Sequence, residues 1–321
     1  MQQNDPGNVF SRLGFAQIAG IAATIIIANL VLVPLTTQTN LQKISDIAGP
    51  SMILLMVYVP QILYLLVFWL VVRPIPKMEW QKETPDFKTL VKIFLMMYSV
   101  SSIINNIGLQ LTNRTPGGNS QLDTIQKMQT SGVLMGILIP VIIGPILEEL
   151  IFRKLMIDRI RNYGEKTAII FSSICFGLFH GNLTQCLFAA CIGLFLGYVY
   201  CKTGKVLYTM SMHMLMNGFS SVILLIIPLM ETPNEDRLAV VLVGVIILLL
   251  IIGIMTVSGI ILLIRWIKRK LFVLDESMPE CIPQHEVFRT VYLNPGVILF
   301  FLISVFEIIA GLFNWDISIR F

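Results

Sequence analysis

Long apolar runs constrain the fold of this chain more than any other feature. Seven runs are long enough to cross a bilayer, which takes about 20 apolar residues in a helix; they cover 13–35, 51–72, 90–111, 133–152, 207–227, 238–264 and 297–313. Two shorter runs, 167–180 and 186–200, lie close together. Because backbone groups inside a bilayer must bond internally, such runs become helices. We therefore predict an all-α polytopic membrane protein with about nine transmembrane helices.

Composition and charge support this fold class. Only 13% of the 321 residues are charged and the mean hydropathy is +0.80, whereas soluble domains are about one quarter charged. The five cysteines show no C-x-x-C spacing, which argues against a disulfide framework or a thiolate metal site. The basic residues lie in short loops, where they more often fix membrane orientation than bind nucleic acid. The bilayer is thus the expected environment, and no nucleic-acid partner is expected.

The distribution of motifs suggests three regions. Residues 1–132 form an N-terminal three-span region, 133–227 a four-span core, and 228–321 a C-terminal two-span region with a polar loop at 271–295. The residues that could carry chemistry concentrate in the core. Glu307 is an isolated charge in the last span. Either it caps a polar cavity or, as we expect, it is protonated and hydrogen-bonded.

Three charges end the fourth apolar run, at Glu148, Glu149 and Arg153. Glu149 and Arg153 are four residues apart, so they share a helix face and can pair. Glu148 points about 100° away, lacks a local partner and could act as a general base. Charges inside a membrane are costly and favour a functional interpretation. The alternative is that the span stops at Phe152 and the charges form a solvated helix end.

The fourth span is predicted to be broken. Pro140 lacks a backbone donor, and proline in Gly144-Pro145 suits a first helical turn better than a helix interior. We therefore expect a new helix from about Pro145 to Gly164, with Glu148 in its first turn, where the helix dipole favours negative charge. Broken membrane helices are tolerated where they line a cavity.

Two histidines in neighbouring spans could join these charges. His180 ends the fifth span, and His213 lies one turn before Asn217 in the seventh. Counting about 1.5 Å per residue from the span ends brings Glu148, His180 and Asn217 to similar depths. A histidine in a membrane more often makes one interhelical hydrogen bond. The set nevertheless predicts a conical, polar cavity lined by the fourth, fifth and seventh spans.

Three short motifs resemble the CAAX protease and bacteriocin-processing (CPBP, or Abi) family. They are Glu-Glu-x-x-x-Arg at 148–153, Phe-x-x-x-His at 176–180 and His-x-x-x-Asn at 213–217, all within 133–227. The resemblance implies an intramembrane endopeptidase that hydrolyses a membrane-associated peptide or protein. It further implies that Glu148 activates water with the assistance of His180, that His213 and Asn217 stabilise the oxyanion, and that Glu149 and Arg153 orient the site.

The resemblance leaves cofactor and substrate open. Glu148, His180 and His213 could hold a zinc ion with water as the fourth ligand, but the H-E-x-x-H spacing of soluble zinc proteases is absent. A glutamate–histidine site without metal is equally compatible. The compact chain suggests a bacterial plasma membrane, where pheromone or bacteriocin precursors would be substrates. Prenylated CAAX proteins would be expected only in a eukaryote.

Other function classes remain open. A non-catalytic scaffold or bacteriocin-immunity protein would keep the packing without needing an ionisable Glu148. A transporter would also place charges along broken helices, but it should show two halves with matching interruptions, and the sequence shows no such repeat.

The loops predict the orientation in the membrane. In the nine-span arrangement 18 of the 23 lysines and arginines lie on one side, which the positive-inside rule places in the cytoplasm. Reporter tags attached before Met1 should therefore report the cytoplasm, and tags attached after Phe321 the outside. Tags that report the same compartment would mean that the number of spans is wrong by one.

Overall fold

Helices make up the regular secondary structure of the described part of the chain. The computed structural model describes residues 5–32, 59–79, 84–118, 139–231 and 235–315. Its α-helices are α1 (Pro6–Ile27), α2 (Val59–Val72), α3 (Phe87–Thr112), α4 (Gly144–Glu149), α5 (Asp158–Ile160), α6 (Glu165–Leu178), α7 (Leu183–Thr203), α8 (Val206–Glu231), α9 (Glu235–Lys268) and α10 (Pro295–Leu312). The described residues contain no strand. The predicted all-α class is confirmed for them.

Several helices have the length and apolarity of membrane spans. Five qualify among the described residues, at Pro6–Leu30, Phe87–Thr112, Leu183–Thr203, Val241–Lys268 and Pro295–Leu312, and Val59–Val72 is shorter but apolar. The chain is therefore a multi-pass helical membrane protein. Parts of the first, second and fourth predicted spans lie outside the described residues, so the count of nine stays a prediction. Helix α6 has only 14 residues, which is about 21 Å, less than the roughly 30 Å of hydrocarbon.

Close helix packing builds the bundle around α6 and α7. Helix α7 packs against both α6 and α3, α9 packs against α3, and α1 packs against α10. Small residues allow the α6–α7 contact, because a Cβ on Gly177 would lie 2.5 Å from the carbonyl oxygen of Cys186. The cysteines are all free, and Cys175, Cys191 and Cys201 are buried. Their burial fits a role as small residues in the packing.

Four loops meet at one end of the bundle, which we call the basic end. The Arg159 side chain donates to the carbonyl of Val72 at 2.9 Å. The buried Glu165 carboxylate pairs with Arg161 and Lys202, both at 2.6 Å, and accepts from the backbone N–H of Asp275 at 2.8 Å. The loops around residues 73, 161, 203 and 275 therefore lie on the same side of the bundle, as the nine-span arrangement requires. Which membrane face this is stays a prediction.

The polar loop at 271–295 covers the start of α6 at the basic end. The Glu276 carboxylate accepts from the N–H of Lys166 at 2.7 Å, and the Ile282 N–H donates to the carbonyl of Tyr163 at 3.2 Å. Partial burial, with Glu276 nearby, raises the pKa of Cys281 above its ordinary value. That thiol is therefore protonated at neutral pH, which fits a packing role. His285 is exposed.

The fourth span is widened rather than cut. A π turn at Ile139–Ile143 leads directly into α4, which has Pro145 in its first turn, and a longer π segment, Leu150–Ile157, follows. Widened turns tolerate a proline, because the ring would otherwise meet the carbonyl of the residue four positions earlier. The predicted end near Gly164 is confirmed, where the backbone has φ of +113°.

The expected position of Glu148 in a first helical turn is wrong. Helix α4 begins at Gly144, its first turn holds no acidic residue, and the preceding Ile143 already has helical backbone angles. The helix dipole and free N–H groups of a true helix start are therefore not what stabilises Glu148. Its environment comes from a residue of another helix, α8.

The α1–α10 contact offers a test of the packing. A Cβ on Gly14 would lie 2.3 Å from the carbonyl carbon of Gly296, whereas a Cβ on Gly253 would meet nothing within 4 Å. Gly14→Ala should lower the free energy of unfolding by about 1–3 kcal/mol through overpacking. The control Gly253→Ala should be neutral or stabilising by up to about 1 kcal/mol. Unfolding in detergent micelles measures both, and equal stability of the two variants would contradict the contact.

Candidate active site

A buried ion pair lies at the centre of the site. The Arg153 Nε lies 3.1 Å from Oε2 of Glu149, and both side chains are 0% exposed. The predicted pairing is confirmed, and the alternative of a solvated helix end is wrong. The Arg153 guanidinium also lies over the Phe176 ring, 5.0 Å from its centroid. Its terminal nitrogens have no hydrogen-bond partner among the described residues, so the aromatic face is their main neighbour there.

His213 connects the two adjacent carboxylates. Its Nδ1 lies 3.1 Å from Oε1 of Glu149, and its Nε2 lies 3.6 Å from Oε2 of Glu148. Glu148 therefore has a partner on α8, although none lies near it in the sequence. If Nδ1–H donates to Glu149, Nε2 presents its lone pair towards Glu148. A proton held by Glu148 can thus be shared with His213.

Exposure separates the roles of the two glutamates. The Glu148 side chain is 18% exposed, whereas that of Glu149 is 0% exposed. Glu149 contacts Arg153 and His213, and Thr209 lies beside it. Glu148 is the carboxylate that a water molecule or a substrate can reach. This division matches the roles that the sequence motif implied, although it does not test them.

Phe176 separates the two histidines. The ring centroids of His213 and His180 lie 5.6 and 5.2 Å from that of Phe176, both in edge-to-face geometry, and Phe152 packs at 5.0 Å. Phe176 is buried. Edge-to-face contacts of this kind fix ring orientation. The phenylalanine of the Phe-x-x-x-His motif therefore positions three other site residues, which the sequence did not indicate.

His180 lies in the turn after α6. Its Nδ1 is 3.0 Å from the carbonyl oxygen of Phe176, so Nδ1–H donates there and Nε2 is left for other partners. The turn is fixed by Asn182, which accepts from the N–H of Gln185 at 2.9 Å and donates to the carbonyl of His180 at 3.0 Å. Within the described residues His180 makes no hydrogen bond to Glu148. Its predicted assistance to Glu148 therefore stays a prediction.

Asn217 ties α8 to the widened fourth span. Its Nδ2 donates to the carbonyl of Pro140 at 2.8 Å, which occupies one of its two N–H groups and leaves the other. Thr209, His213 and Asn217 follow each other at intervals of four residues and therefore share one helix face. Thr209 is buried with 0% exposure. Sequence reasoning missed it, although this spacing was the signal that could have found it.

The described residues bring no three potential metal ligands together, and zinc binding stays a prediction. Among the described residues no three histidine, cysteine, aspartate or glutamate side chains lie close enough to share an ion. Of the suggested zinc ligands, Glu148 and His213 are neighbours, but the Nδ1 of His180 faces a backbone carbonyl. We therefore derive no step through a metal ion.

Two clefts at the basic end lie away from these residues. One, of about 330 Å³, is lined by Lys77, Met78, Glu79, Lys154, Asp158, Tyr200 and Gly204. The other, of about 450 Å³, lies between the start of α1 and the polar loop. Neither is lined by Glu148, His180 or His213, so the polar cavity expected between the fourth, fifth and seventh spans stays a prediction.

The buried pair leads to a stability prediction. Glu149→Gln leaves Arg153 charged in an apolar site, so we expect the free energy of unfolding to fall by about 3 kcal/mol. The matched control is Glu286→Gln, which breaks the exposed contact between Glu286 and His285 and should cause no measurable change. Unfolding of the purified variants in detergent gives both values. Equal stability of Glu149→Gln and wild type would show that the pair is not buried as described.

Two comparisons with known proteins match the part of the chain that contains the candidate site residues. Residues 130–219 match the family described as Type II CAAX prenyl endopeptidase Rce1-like. The chain is 29% identical over 167 residues to "Putative membrane peptidase YdiL" of Bacillus subtilis (strain 168), which corresponds to 48% of this chain and 65% of that relative. The chain thus covers just under two thirds of the relative's length. No solved structure matches the chain.

The matched segment contains every candidate site residue, from Glu148 to Asn217. It also contains the widened fourth span that carries the two glutamates. The three motifs and these comparisons therefore agree that residues 130–219 are similar to the Rce1-like group of CAAX prenyl endopeptidases.

Proposed function

We propose that this protein is an intramembrane endopeptidase that hydrolyses a peptide bond of a membrane-associated peptide or protein. The observation that carries the proposal is the partly exposed Glu148 beside His213, with the fully buried Glu149–Arg153 pair behind them. A glutamate that exchanges protons with an oriented imidazole is the arrangement that general-base hydrolysis requires.

Glu148 is the general base in this mechanism. It takes a proton from a water molecule while the water oxygen bonds to the carbonyl carbon of the substrate. The same proton, shared between Glu148 and His213 across 3.6 Å, passes to the amide nitrogen when the carbon–nitrogen bond breaks. The products are a carboxylic acid and an amine, so atoms and charge balance.

The surrounding groups support this proton transfer. Glu149 holds His213 through Nδ1 and stabilises the imidazolium when His213 is protonated. Arg153 neutralises Glu149, so two adjacent carboxylates do not repel each other next to the substrate. The second N–H of Asn217 and a protonated His213 are the donors for the oxyanion. His180, whose Nε2 is left for a partner, assists from the other side of Phe176.

The proposed setting is a bacterial plasma membrane, with the basic end in the cytoplasm. The substrate class we propose is membrane-associated peptides, such as pheromone or bacteriocin precursors. The peptidase name of the Bacillus subtilis relative is consistent with this class. No contact among the described site residues requires the substrate to be a prenylated CAAX protein.

Glu148→Gln separates a peptidase from a scaffold. The amide keeps the shape of the side chain but cannot take a proton, so cleavage of a membrane-peptide library should fall by about 10²–10⁴-fold. The folded state should be as stable as wild type or slightly more so, because Gln removes a partly buried charge. Cleavage assays and unfolding of the same preparations provide both readings.

Two controls separate a lost general base from a general defect or a lost metal ion. Glu286→Gln, on the exposed polar loop, should cleave like wild type. Wild type assayed with and without a strong chelator, together with elemental analysis, measures metal dependence. If cells that carry Glu148→Gln show the same phenotype as cells that carry the wild-type protein, the scaffold alternative replaces the peptidase.

A further inference from the structure

Glu307 is a carboxylate beside the site that the proposed mechanism does not use. It lies on α10, outside the 130–219 segment that matches the family. Its carboxyl carbon and both oxygens lie 3.1–3.2 Å from the point where a Cβ on Gly181 would be. Gly181 follows His180 and has φ of +63°. The last helix therefore brings a carboxylate against the turn that carries the second histidine.

Glu307 has no cationic or hydrogen-bonding partner among the described residues. The salt bridges of that part of the chain involve other carboxylates, and Arg153 is already paired with Glu149. The expectation of a hydrogen-bonded Glu307 thus finds no partner there. A carboxylate within a membrane helix is costly and is usually paired. Glu307 is half-buried, so a ligand can still approach it.

Glu307 does not cap the turn that it touches. The N–H of His180 already donates to the carbonyl of Gly177, and the N–H of Gly181 donates to that of Leu178, both at 3.2 Å. The contact with Gly181 is therefore one of packing, and it leaves the acceptor capacity of the carboxylate for another group. A purely structural role would leave the hydrogen-bond acceptors of this carboxylate unused.

A series of contacts links the Glu148 region to Glu307. His213, which faces Glu148, is 5.6 Å from Phe176, and His180, which precedes Gly181, is 5.2 Å from Phe176. An extended chain advances about 3.3 Å per residue. Substrate residues a few positions from a scissile bond at Glu148 therefore span distances of the same size as these contacts.

We propose that Glu307 is a specificity-determining residue that binds a cationic group of the substrate, an ammonium or a guanidinium, a few residues from the scissile bond. This inference rests on the proposed peptidase function. An approaching cation favours the ionised form of the carboxylate, and the apolar surroundings strengthen the attraction between the two charges compared with water. Substrates with lysine or arginine at that position are bound in preference to uncharged ones.

The test measures binding, so that it does not depend on turnover. The probes are short fluorescent peptides of alanine and leucine with one lysine moved position by position, and a matched set with norleucine. They are titrated into the Glu148→Gln variant in a zwitterionic detergent. At one position the lysine peptide should bind about tenfold more tightly than its norleucine match. This gain in affinity lies between those expected for an exposed and for a buried ion pair.

Substitutions at Glu307 then assign the preference. Adding Glu307→Gln should bring the lysine and norleucine peptides to equal affinity, whereas Glu307→Asp should keep a preference for lysine and Glu307→Lys should favour a glutamate peptide. The control Glu286→Gln should leave the preference intact. Unfolding measured in parallel identifies any variant that does not fold. The remaining substitutions then show whether Glu307 causes the preference for lysine.

Two results would overturn the inference. One is equal affinity for lysine and norleucine peptides at every position, and the other is a lysine preference that survives both Glu307→Gln and Glu307→Lys. Failure of the peptidase proposal is a different result. It would appear as no cleavage of any peptide by wild type, while the binding preference in Glu148→Gln still reports on Glu307.

Discussion

The fully buried pair of Glu149 and Arg153 is the interaction on which the site depends. Removing two charges from water is expensive, and mutual attraction offsets this only when the geometry is good and other groups add contacts. Here His213 adds a hydrogen bond to Glu149, and the Phe176 ring covers the guanidinium. The pair thus fixes an imidazole from one helix and an aromatic ring from another. Loss of either charge would leave the other buried without its ionic partner.

Two adjacent glutamates on one helix have different surroundings. Successive side chains on a helix diverge by about 100°, so Glu149 points into the packed interior while Glu148 keeps 18% exposure. The π segment that begins at Leu150 widens the helix immediately after them. Such segments recur at functional sites. Local geometry separates a structural carboxylate from a reactive one without any change of residue type.

Helices outside the family segment hold the site in place. At the basic end Arg159 binds the carbonyl of Val72, and at the far end of α7 the hydroxyls of Thr112 and Thr184 are 2.9 Å apart. Helix α10 adds Glu307 against the histidine turn. Helix α6 has only 14 residues, fewer than the roughly 20 that a straight membrane-spanning helix needs. Helices α2, α3 and α10 thus contact the matched segment and complete the bundle.

The sequence alone determined the apolar helices and the Glu149–Arg153 pair, which follow from hydropathy and from the helical period that covalent geometry fixes locally. The six candidate site residues came from the motifs that resemble the protease family, and their roles stay predictions. Only the tertiary structure decided which groups meet between helices. It gave Glu148 a partner on α8, turned Nδ1 of His180 to a carbonyl, and replaced the expected helix start with a π turn. His213 and Glu149 are 64 residues apart, and contacts at that separation depend on packing that no local period encodes.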